Sequence, residues 1–414
     1  MEFSVKQALG VTNWFQDMCG IIGMIAQEEV TPTILEVLKK LEYRGYDSAG
    51  LATIQNSKIE RRRAQGKIEN LELLIKEKPL SGHIGIGHTR WATHGVPSES
   101  NAHPHQKGDV IGVHNGIIEN FREIKAELEI KGYQFTSETD TEVVVQLCAS
   151  YLDLGYTIEK AFESTLSRLE GAFALCFMFK VNADKLLIAR RGAPLVVGYG
   201  NSAVFVGSDA VSLSHLIDDV IFLEEDDWAI VESKSLNIFN KSGVITNREK
   251  KRIERDFGEI GKGNYQHFML KEINEQSEVL SYATASFIDH KSSRVEMLQG
   301  LNEIKSISRL ILIACGTAYY ACAVAKYWFE KYAKIPVEID VASEFRYRDS
   351  PLEDEDLVVL VSQSGETADT LAALRKVKGK VKKIISIINV MESSIARESD
   401  FVLPIKAGPE IGVA

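Results

Sequence analysis

From Cys19 to about Val231, short apolar runs such as Ala172–Phe179, Leu186–Ala189 and Ala203–Val206 alternate with glycine-containing turns and a few amphipathic stretches. The rhythm predicts a layered α+β region with substantial sheet. Helices are predicted over Thr31–Leu41 and Thr141–Leu154, the second placing Val143, Val144, Leu147 and Tyr151 on one face. A polar, charge-rich stretch from Ser233 to Gly263 breaks the pattern and reads as a domain junction.

Beyond about Ser293 strands and helices alternate. Strands are predicted at Leu310–Ala314, Val337–Val341, Leu357–Val361, Lys383–Ile388 and Phe401–Ile405, with helices at Ala318–Tyr332, Thr367–Val377 and Ser393–Arg397. Several strands are apolar throughout, which predicts a parallel, doubly wound α/β sheet covered on both faces. Ligands of such sheets bind at the carboxyl ends of the strands.

The 414 residues leave room for two or three domains, and 45% hydrophobic with 26% charged residues is a globular mixture. A formal net charge of −10 gives no electrostatic footprint for nucleic acid. Arg61-Arg62-Arg63 reads as a solvated strand face. Five cysteines, at 19, 148, 176, 315 and 322, form neither a metal-ligand spacing nor a disulfide framework, which fits a reducing compartment. Met1–Asp17 carries Glu2, Lys6 and Asp17 and lacks the apolar core of a signal peptide, and no run is long enough to span a bilayer. A cytoplasmic protein without membrane partners is expected.

Met18-Cys19-Gly20-Ile21-Ile22-Gly23 is the segment richest in chemical implication. A cysteine after a methionine can become an N-terminal residue, carrying a thiol nucleophile and an α-amine base together. That requires either a start at Met18 or removal of residues 1–18 as a leader. Three further segments concentrate site-like residues: His88–Gly95, His114-Asn115-Gly116 and Ser137–Glu142. Taken singly each has a plainer reading. Asn115-Gly116 reads as a hairpin turn, Arg90 as a surface cation, Asp140 as a helix N-cap and Cys19 as a buried apolar cysteine.

Together, Cys-Gly-Ile-Ile-Gly at 19–23, Leu-Glu-Tyr-Arg-Gly-Tyr-Asp-Ser-Ala-Gly at 41–50, Thr-Arg-Trp-Ala-Thr-His-Gly at 89–95 and His-Asn-Gly-Ile-Ile-Glu-Asn at 114–120 resemble the glutaminase domain of the N-terminal-nucleophile glutamine amidotransferases. Asn-Ala-His-Pro-His at 101–105, Lys271–Gln276 and Ala342–Arg348 extend the resemblance over essentially Met18 to Ala414, toward members of that family that carry sugar isomerase (SIS) domains. The resemblance implies a four-layer αββα glutaminase fold over 19–235, a linker over 236–292 and a first SIS domain of αβα form over 293–414, incomplete at its C-terminus. It implies that Cys19 attacks the glutamine side-chain amide, that the Asn115 side chain and Gly116 backbone N–H form an oxyanion hole, and that Arg90 and Asp140 hold the substrate α-carboxylate and α-ammonium. Trp91, Thr93 and His94 fall in the loop that covers glutamine.

In the second domain, Ile313–Thr317 and Ser362–Thr367 each join a strand to a helix, where backbone N–H groups and hydroxyls suit a phosphate dianion. Either turn alone also reads as an ordinary capped helix. The resemblance assigns Thr317, Ser362, Gln363, Ser364, Thr367 and Val413 to D-fructose 6-phosphate, with Ala318 standing where the family usually has serine. It further implies conversion of fructose 6-phosphate and L-glutamine to glucosamine 6-phosphate and L-glutamate, a homodimer, and no metal or organic cofactor. A chain ending at Ala414 is expected to keep the glutaminase half only. Other amidotransferases, which share only the first domain, and a non-catalytic sugar-phosphate-binding fragment are the competing expectations.

Overall fold

A computed structural model describes residues 19–42, 45–91, 95–200, 202–210, 212–252, 265–289, 294–295, 304, 307–391, 393–408 and 410–412. Residues 1–18, Thr93, His94 and Val413 lie outside these, so the expectations placed on them do too. The chain divides into two compact units, Met1–Arg255 and Asp256–Ala414.

The first unit runs β1 (Gly20–Ala26), α1 (Thr31–Leu41), β2 (Ser48–Gln55), β3 (Lys58–Gln65), α2 (Ile68–Glu77), β4 (Ile84–Arg90), β5 (His105–Lys107) and β6 (Val110–Ile118). It continues with α3 (Phe121–Ile130), α4 (Asp140–Asp153), α5 (Ile158–Leu166), β7 (Gly171–Phe179), β8 (Asn182–Arg191), β9 (Val196–Tyr199) and β10 (Ala203–Gly207). The last strands are β11 (Asp219–Phe222), β12 (Trp228–Glu232), β13 (Leu236–Phe239), β14 (Ile245–Thr246) and β15 (Lys250–Arg252). They form an eight-stranded sheet, β15-β11-β9-β10-β1-β4-β2-β3, and a seven-stranded sheet, β14-β13-β12-β8-β7-β6-β5.

Alternation along each strand sends one set of side chains into the space between the sheets. Ile21, Ile25, Ala52, Ile54 and Ile86 of the first sheet meet Ile111, Val113, Cys176, Met178 and Ile188 of the second. The helix α1 buries Ile34, Val37, Leu38 and Leu41 against the outer face of the first sheet. On the outer face of the second, α3, α4 and α5 pack a core containing Phe162, Phe177, Phe179 and Trp228. The layers are therefore αββα. Helix α4 starts one residue earlier than its apolar face suggests, and its N-cap is Thr139, whose side chain accepts from Glu142 N–H; Asp140 is the first helical residue, not the cap.

The polar stretch after Ser233 is not unstructured up to Arg252. Phe239 stacks on Trp228 with ring centroids 4.2 Å apart, and Ile238 is buried, so β13 is held by two apolar side chains in a polar background. The Arg61-Arg62-Arg63 triplet also differs from a solvated face. It lies in β3, where Arg61 and Arg63 donate to the carbonyls of Pro104 and Ala102 at 3.2 and 2.9 Å.

The second unit contains α6 (Phe268–Ala285), β16 (Ile288–Asp289), β17 (Arg294–Val295), β18 (Arg309–Ala314), α7 (Gly316–Trp328), β19 (Val337–Val341) and α8 (Ala342–Phe345). It ends with β20 (Asp356–Ser362), α9 (Ala368–Val377), β21 (Lys383–Ile388), α10 (Ser394–Glu398) and β22 (Phe401–Pro404). Five strands form a parallel sheet in the order β19-β18-β20-β21-β22. Leu310, Leu312 and Val359 face the side that holds Cys322 of α7, while Ile311, Ile313, Val358 and Leu360 face α8, α9 and α10. Helix α6, which the apolar pattern does not mark, has no buried residue. Among the described residues no helix is long and apolar enough to cross a membrane.

Where β4 and β5 approach each other the interior is polar. His88 and His103 rings lie 4.1 Å apart and His103 and His105 rings 5.0 Å apart, all buried. Burial, reinforced by the positive field of Arg90, pushes His88 down to about 3 and His103 and His105 well below the ordinary histidine value. The native state thus keeps three histidines neutral while the unfolded chain protonates them below pH ~6.5. Stability is present above that pH and is lost as pH falls, with a limiting slope of ~4 kcal/mol per pH unit for three histidines. Urea unfolding between about pH 7.5 and pH 5 is expected to show this decline before carboxylates begin to titrate; a flat profile would show that the histidines carry charge in the native state.

Candidate active site

Cys19 immediately precedes β1, and the β1–β4 register pairs Gly20 with Thr89. The thiol is thereby set beside the end of β4. Trp91 N–H donates to Cys19 Sγ at 3.3 Å, and Sγ lies 3.6 Å from the Trp91 carbonyl. Cys19 is 8% exposed, so the apolar reading of a buried cysteine holds for its accessibility, while its neighbours are polar. None of the five cysteines is joined in a disulfide.

Asn115 comes from β6, in the other sheet, and reaches across to Cys19. Its Nδ2 donates to the Cys19 carbonyl at 2.7 Å and to Ser208 Oγ at 3.0 Å, while its Oδ1 is 2.9 Å from His88 Nε2. Asn115-Gly116 is consequently not a hairpin turn but lies within a nine-residue strand paired to β7. Gly116 has φ +115°, and a Cβ there would meet the Ala172 carbonyl oxygen at 2.1 Å, so only glycine fits.

Arg90, the last residue of β4, is 3% exposed and therefore no surface cation. Its Nη2 donates to the Gly95 carbonyl at 3.3 Å. Burial lowers its affinity for the proton, and the nearby charges of Cys19, Asp140, Asp47 and Glu138 oppose that effect. Asp140 is also buried; its Oδ2 accepts from Ile118 N–H at 2.9 Å and lies 3.8 Å from His114 Nδ1. Trp91 is 40% exposed, its ring edge-on to Tyr46 at 5.2 Å. The fold therefore gathers Cys19 just before β1, Arg90 and Trp91 at the end of β4, Asn115 and Gly116 of β6 and Asp140 of α4. A buried guanidinium and a carboxylate beside a thiol can pair with the two charged ends of a free amino acid.

Ser208 and His88 complete this cluster without a role assigned from sequence. Ser208 Oγ accepts from Ile21 N–H at 2.7 Å as well as from Asn115. No local signal marks Ser208, which follows β10 and reaches the site only through the β1–β10 pairing. His88 opens one of the segments that the sequence singles out. Among the described residues no group of three or more His, Cys, Asp or Glu side chains could hold a metal ion.

In the second unit the chain passes from β18 to β19 on one side and then to β20 on the other, so the order of strands reverses between β18 and β20. Such a switch point is where open α/β sheets bind ligands. The register pairs Ala314 with Val361, which sets the turn before Thr317 beside the turn Ser362–Thr367 at one carboxyl edge. Ser362 Oγ is 2.9 Å from Thr367 Oγ1 and accepts from Gly365 N–H at 3.1 Å; Ser364 Oγ accepts from Glu366 N–H at 3.2 Å. Gly365 has φ +64°, and a Cβ would lie 2.0 Å from Ser393 Oγ. Gln363 is half-buried, its carbonyl accepting from Asn389 N–H at 3.1 Å, and Thr317 is exposed in the first turn of α7.

Two family profiles match the chain, one described as a glutamine amidotransferase domain over residues 88–215 and one as a SIS domain over residues 303–414. A glutamine–fructose-6-phosphate aminotransferase (isomerizing) of Bradyrhizobium diazoefficiens is 53% identical over 398 residues, covering 96% of this chain and 66% of the relative. One of Brucella abortus is 50% identical over 397 residues, covering 96% of this chain and 65% of the relative. The solved C-terminal domain of glucosamine-fructose-6-phosphate aminotransferase from Francisella tularensis is 42% identical, covering 36% of this chain and 42% of that one, with a TM-score of 0.34. The chain thus spans slightly less than two thirds of the length of the curated relatives. Over the residues that it shares with them, the chain belongs to the glutamine–fructose-6-phosphate aminotransferase (isomerizing) family.

Proposed function

We propose that the chain takes nitrogen from L-glutamine for transfer to D-fructose 6-phosphate, in a reaction giving D-glucosamine 6-phosphate and L-glutamate. The observation that carries the glutaminase half is the Asn115 amide held 2.7 Å from the Cys19 carbonyl, next to the thiol, in a site that also buries Arg90 and Asp140. Arg90 receives the substrate α-carboxylate and Asp140 its α-ammonium, which selects free glutamine over glutamine in a protein. Cys19 Sγ attacks the amide carbon, and its proton passes to the Cys19 α-amine. The oxyanion that forms takes one N–H of Asn115, displacing one of its two resting acceptors, and the N–H of Gly116. Collapse expels ammonia, which carries the proton away from the amine, and leaves a thioester that water hydrolyses to glutamate. Trp91, Thr93 and His94 belong to the segment that covers the substrate.

The phosphate of the sugar is assigned to the switch point of the parallel sheet. Ser362, Gln363, Ser364 and Thr367 supply hydroxyl and backbone donors, the start of α9 adds its dipole, Thr317 stands on the adjacent turn, and Val413 belongs to the same subsite. A homodimer is part of the same proposal. Five cysteines outside any disulfide fit a cytoplasmic setting.

The α-amine of Cys19 exists only when the peptide bond to Met18 is absent. Protein whose first residue is Cys19 is expected to release glutamate from glutamine, and protein shown by mass to retain Met18 is not. Equal rates from the two forms would refute the role of the amine.

Within active protein the two binding elements separate kinetically. Asn115→Ala is expected to lower kcat by roughly 10²–10³ with KM for glutamine nearly unchanged, because its hydrogen bond to the oxyanion forms in the transition state. Arg90→Lys mainly raises KM, since the carboxylate fork is made in ground and transition states alike. The same kinetic signature in both variants would show the assignments to be wrong.

Titration calorimetry tests the sugar site directly. Ser364→Ala is expected to weaken fructose 6-phosphate binding about tenfold or more, the ~1.5–3 kcal/mol of a hydrogen bond to a charged group. Unchanged affinity would move the phosphate away from this turn. Sugar-phosphate binding without any glutamate release from protein beginning at Cys19 would favour a non-catalytic binding protein.

A further inference from the structure

The side chain of Asn115 offers two nearly isosteric faces, a carbonyl oxygen and an amine. Only one orientation gives the site a donor. An amide turned by 180° would present Oδ1 to the developing oxyanion and repel it, so something in the fold has to choose between the two.

His88 supplies that choice. Its Nε2 lies 3.1 Å from the backbone carbonyl of His114 and 2.9 Å from Asn115 Oδ1. The backbone carbonyl is only an acceptor, so Nε2 carries the hydrogen and the ring is the Nε2–H tautomer. A donor at Nε2 in turn admits oxygen and excludes the amine of Asn115, which sends Nδ2 toward Cys19 and Ser208. The tautomer therefore follows from a backbone carbonyl whose identity cannot be exchanged, and the amide orientation follows from the tautomer.

The surroundings keep this arrangement from changing with pH. The other ring nitrogen, Nδ1, is buried and has no hydrogen-bond acceptor among the described residues, so adding a proton there would bury an unpaired cation. The groups that face the ring are His103, whose ring is 4.1 Å away, the Arg90 guanidinium and His114. Arg90 and any protonated histidine would repel a second charge. His88 also sits on β4, one strand from Cys19, whereas Asn115 is on β6 of the opposite sheet, so the bond ties the donor to the frame that holds the nucleophile.

We propose that His88 is a positioning residue for glutamine hydrolysis: as a permanently neutral Nε2–H donor it fixes the Asn115 amide with its amine toward the reacting carbonyl, and it is not a general base. This rests on the oxyanion role of Asn115 given above. The test uses glutaminase-active full chain and three variants. His88→Phe, which keeps a ring but removes the donor, is expected to lower kcat about 10²-fold with KM for glutamine changed less than about threefold. His88→Gln retains an N–H donor and is expected to recover at least about tenfold of that loss. In the His88→Phe background, Asn115→Ala is expected to cost much less than it does alone, since the donor is already misaligned.

A purely structural His88 would instead give losses that multiply with Asn115→Ala and no recovery by glutamine. Either that pattern or an unchanged kcat in His88→Phe overturns the proposal. If Asn115→Ala alone leaves kcat unchanged, the oxyanion role fails first, and the proposal with it. Nitrogen-15 spectra of the unsubstituted protein need no variant to fold. The Nε2–H tautomer of His88, unchanged from about pH 7.5 to pH 5, is expected, and an Nδ1–H tautomer or an imidazolium in that range overturns the proposal.

Discussion

One side-chain amide joins the two sheets at the nucleophile. Asn115 stands on β6 of the seven-stranded sheet, yet its oxygen is held by His88 of β4 and its nitrogen by the carbonyl of Cys19 and the hydroxyl of Ser208, all belonging to the eight-stranded sheet or its ends. An amide buried with both ends bonded is stable only when every neighbour has the complementary sense of donor or acceptor. The site geometry is thus a consequence of how the two sheets are set against each other. The apolar interior that contains Ile21, Ile86, Val113 and Cys176 fixes that setting.

Around this link the fold tolerates an interior that is costly in isolation. His88, His103 and His105 are buried and neutral, and Arg90 and Asp140 are buried as well. The buried charge of Arg90 is offset by the nearby charges of Cys19, Asp140, Asp47 and Glu138, which come from separate segments. A buried cation and carboxylate of this kind contribute little to stability, and under the proposed function they would meet the two charged ends of a free amino acid.

The second unit solves a different problem with backbone. In Ser362–Thr367 the hydroxyls first satisfy the turn itself, Ser362 bonding Gly365 N–H and Thr367, and Ser364 bonding Glu366 N–H. That rigidity aims the turn at the edge where the strand order reverses. A phosphate, which the proposed function assigns to this turn, needs little more than converging N–H and O–H groups and a helix start, and serine, threonine and glycine can supply these where a nucleotide loop would require lysine.

Period-two and period-3.6 apolar patterns are local properties, and they made most elements of the second unit and a few of the first legible: Thr31–Leu41, Val337–Val341 and Lys383–Ile388 have the observed bounds. Contiguous motifs such as Thr89–Gly95 and His114–Asn120 singled out candidate residues, of which the fold brings Cys19, Arg90, Trp91, Asn115 and Asp140 together. Strands β13 to β15 and helix α6 were not, since a polar segment joins a sheet edge through backbone pairing and a few anchors such as Phe239, which leave almost no pattern in sequence. Nor could sequence tell that Asn115 lies inside a strand instead of at a turn, that Thr139 and not Asp140 caps α4, or that Ser208 and His88 complete the site. Sequence determined which side chains and which elements exist, because those depend on neighbours along the chain. Tertiary structure alone decided the donor direction of Asn115 and the switch point between β18 and β20, because both arise from strands far apart in sequence being laid side by side.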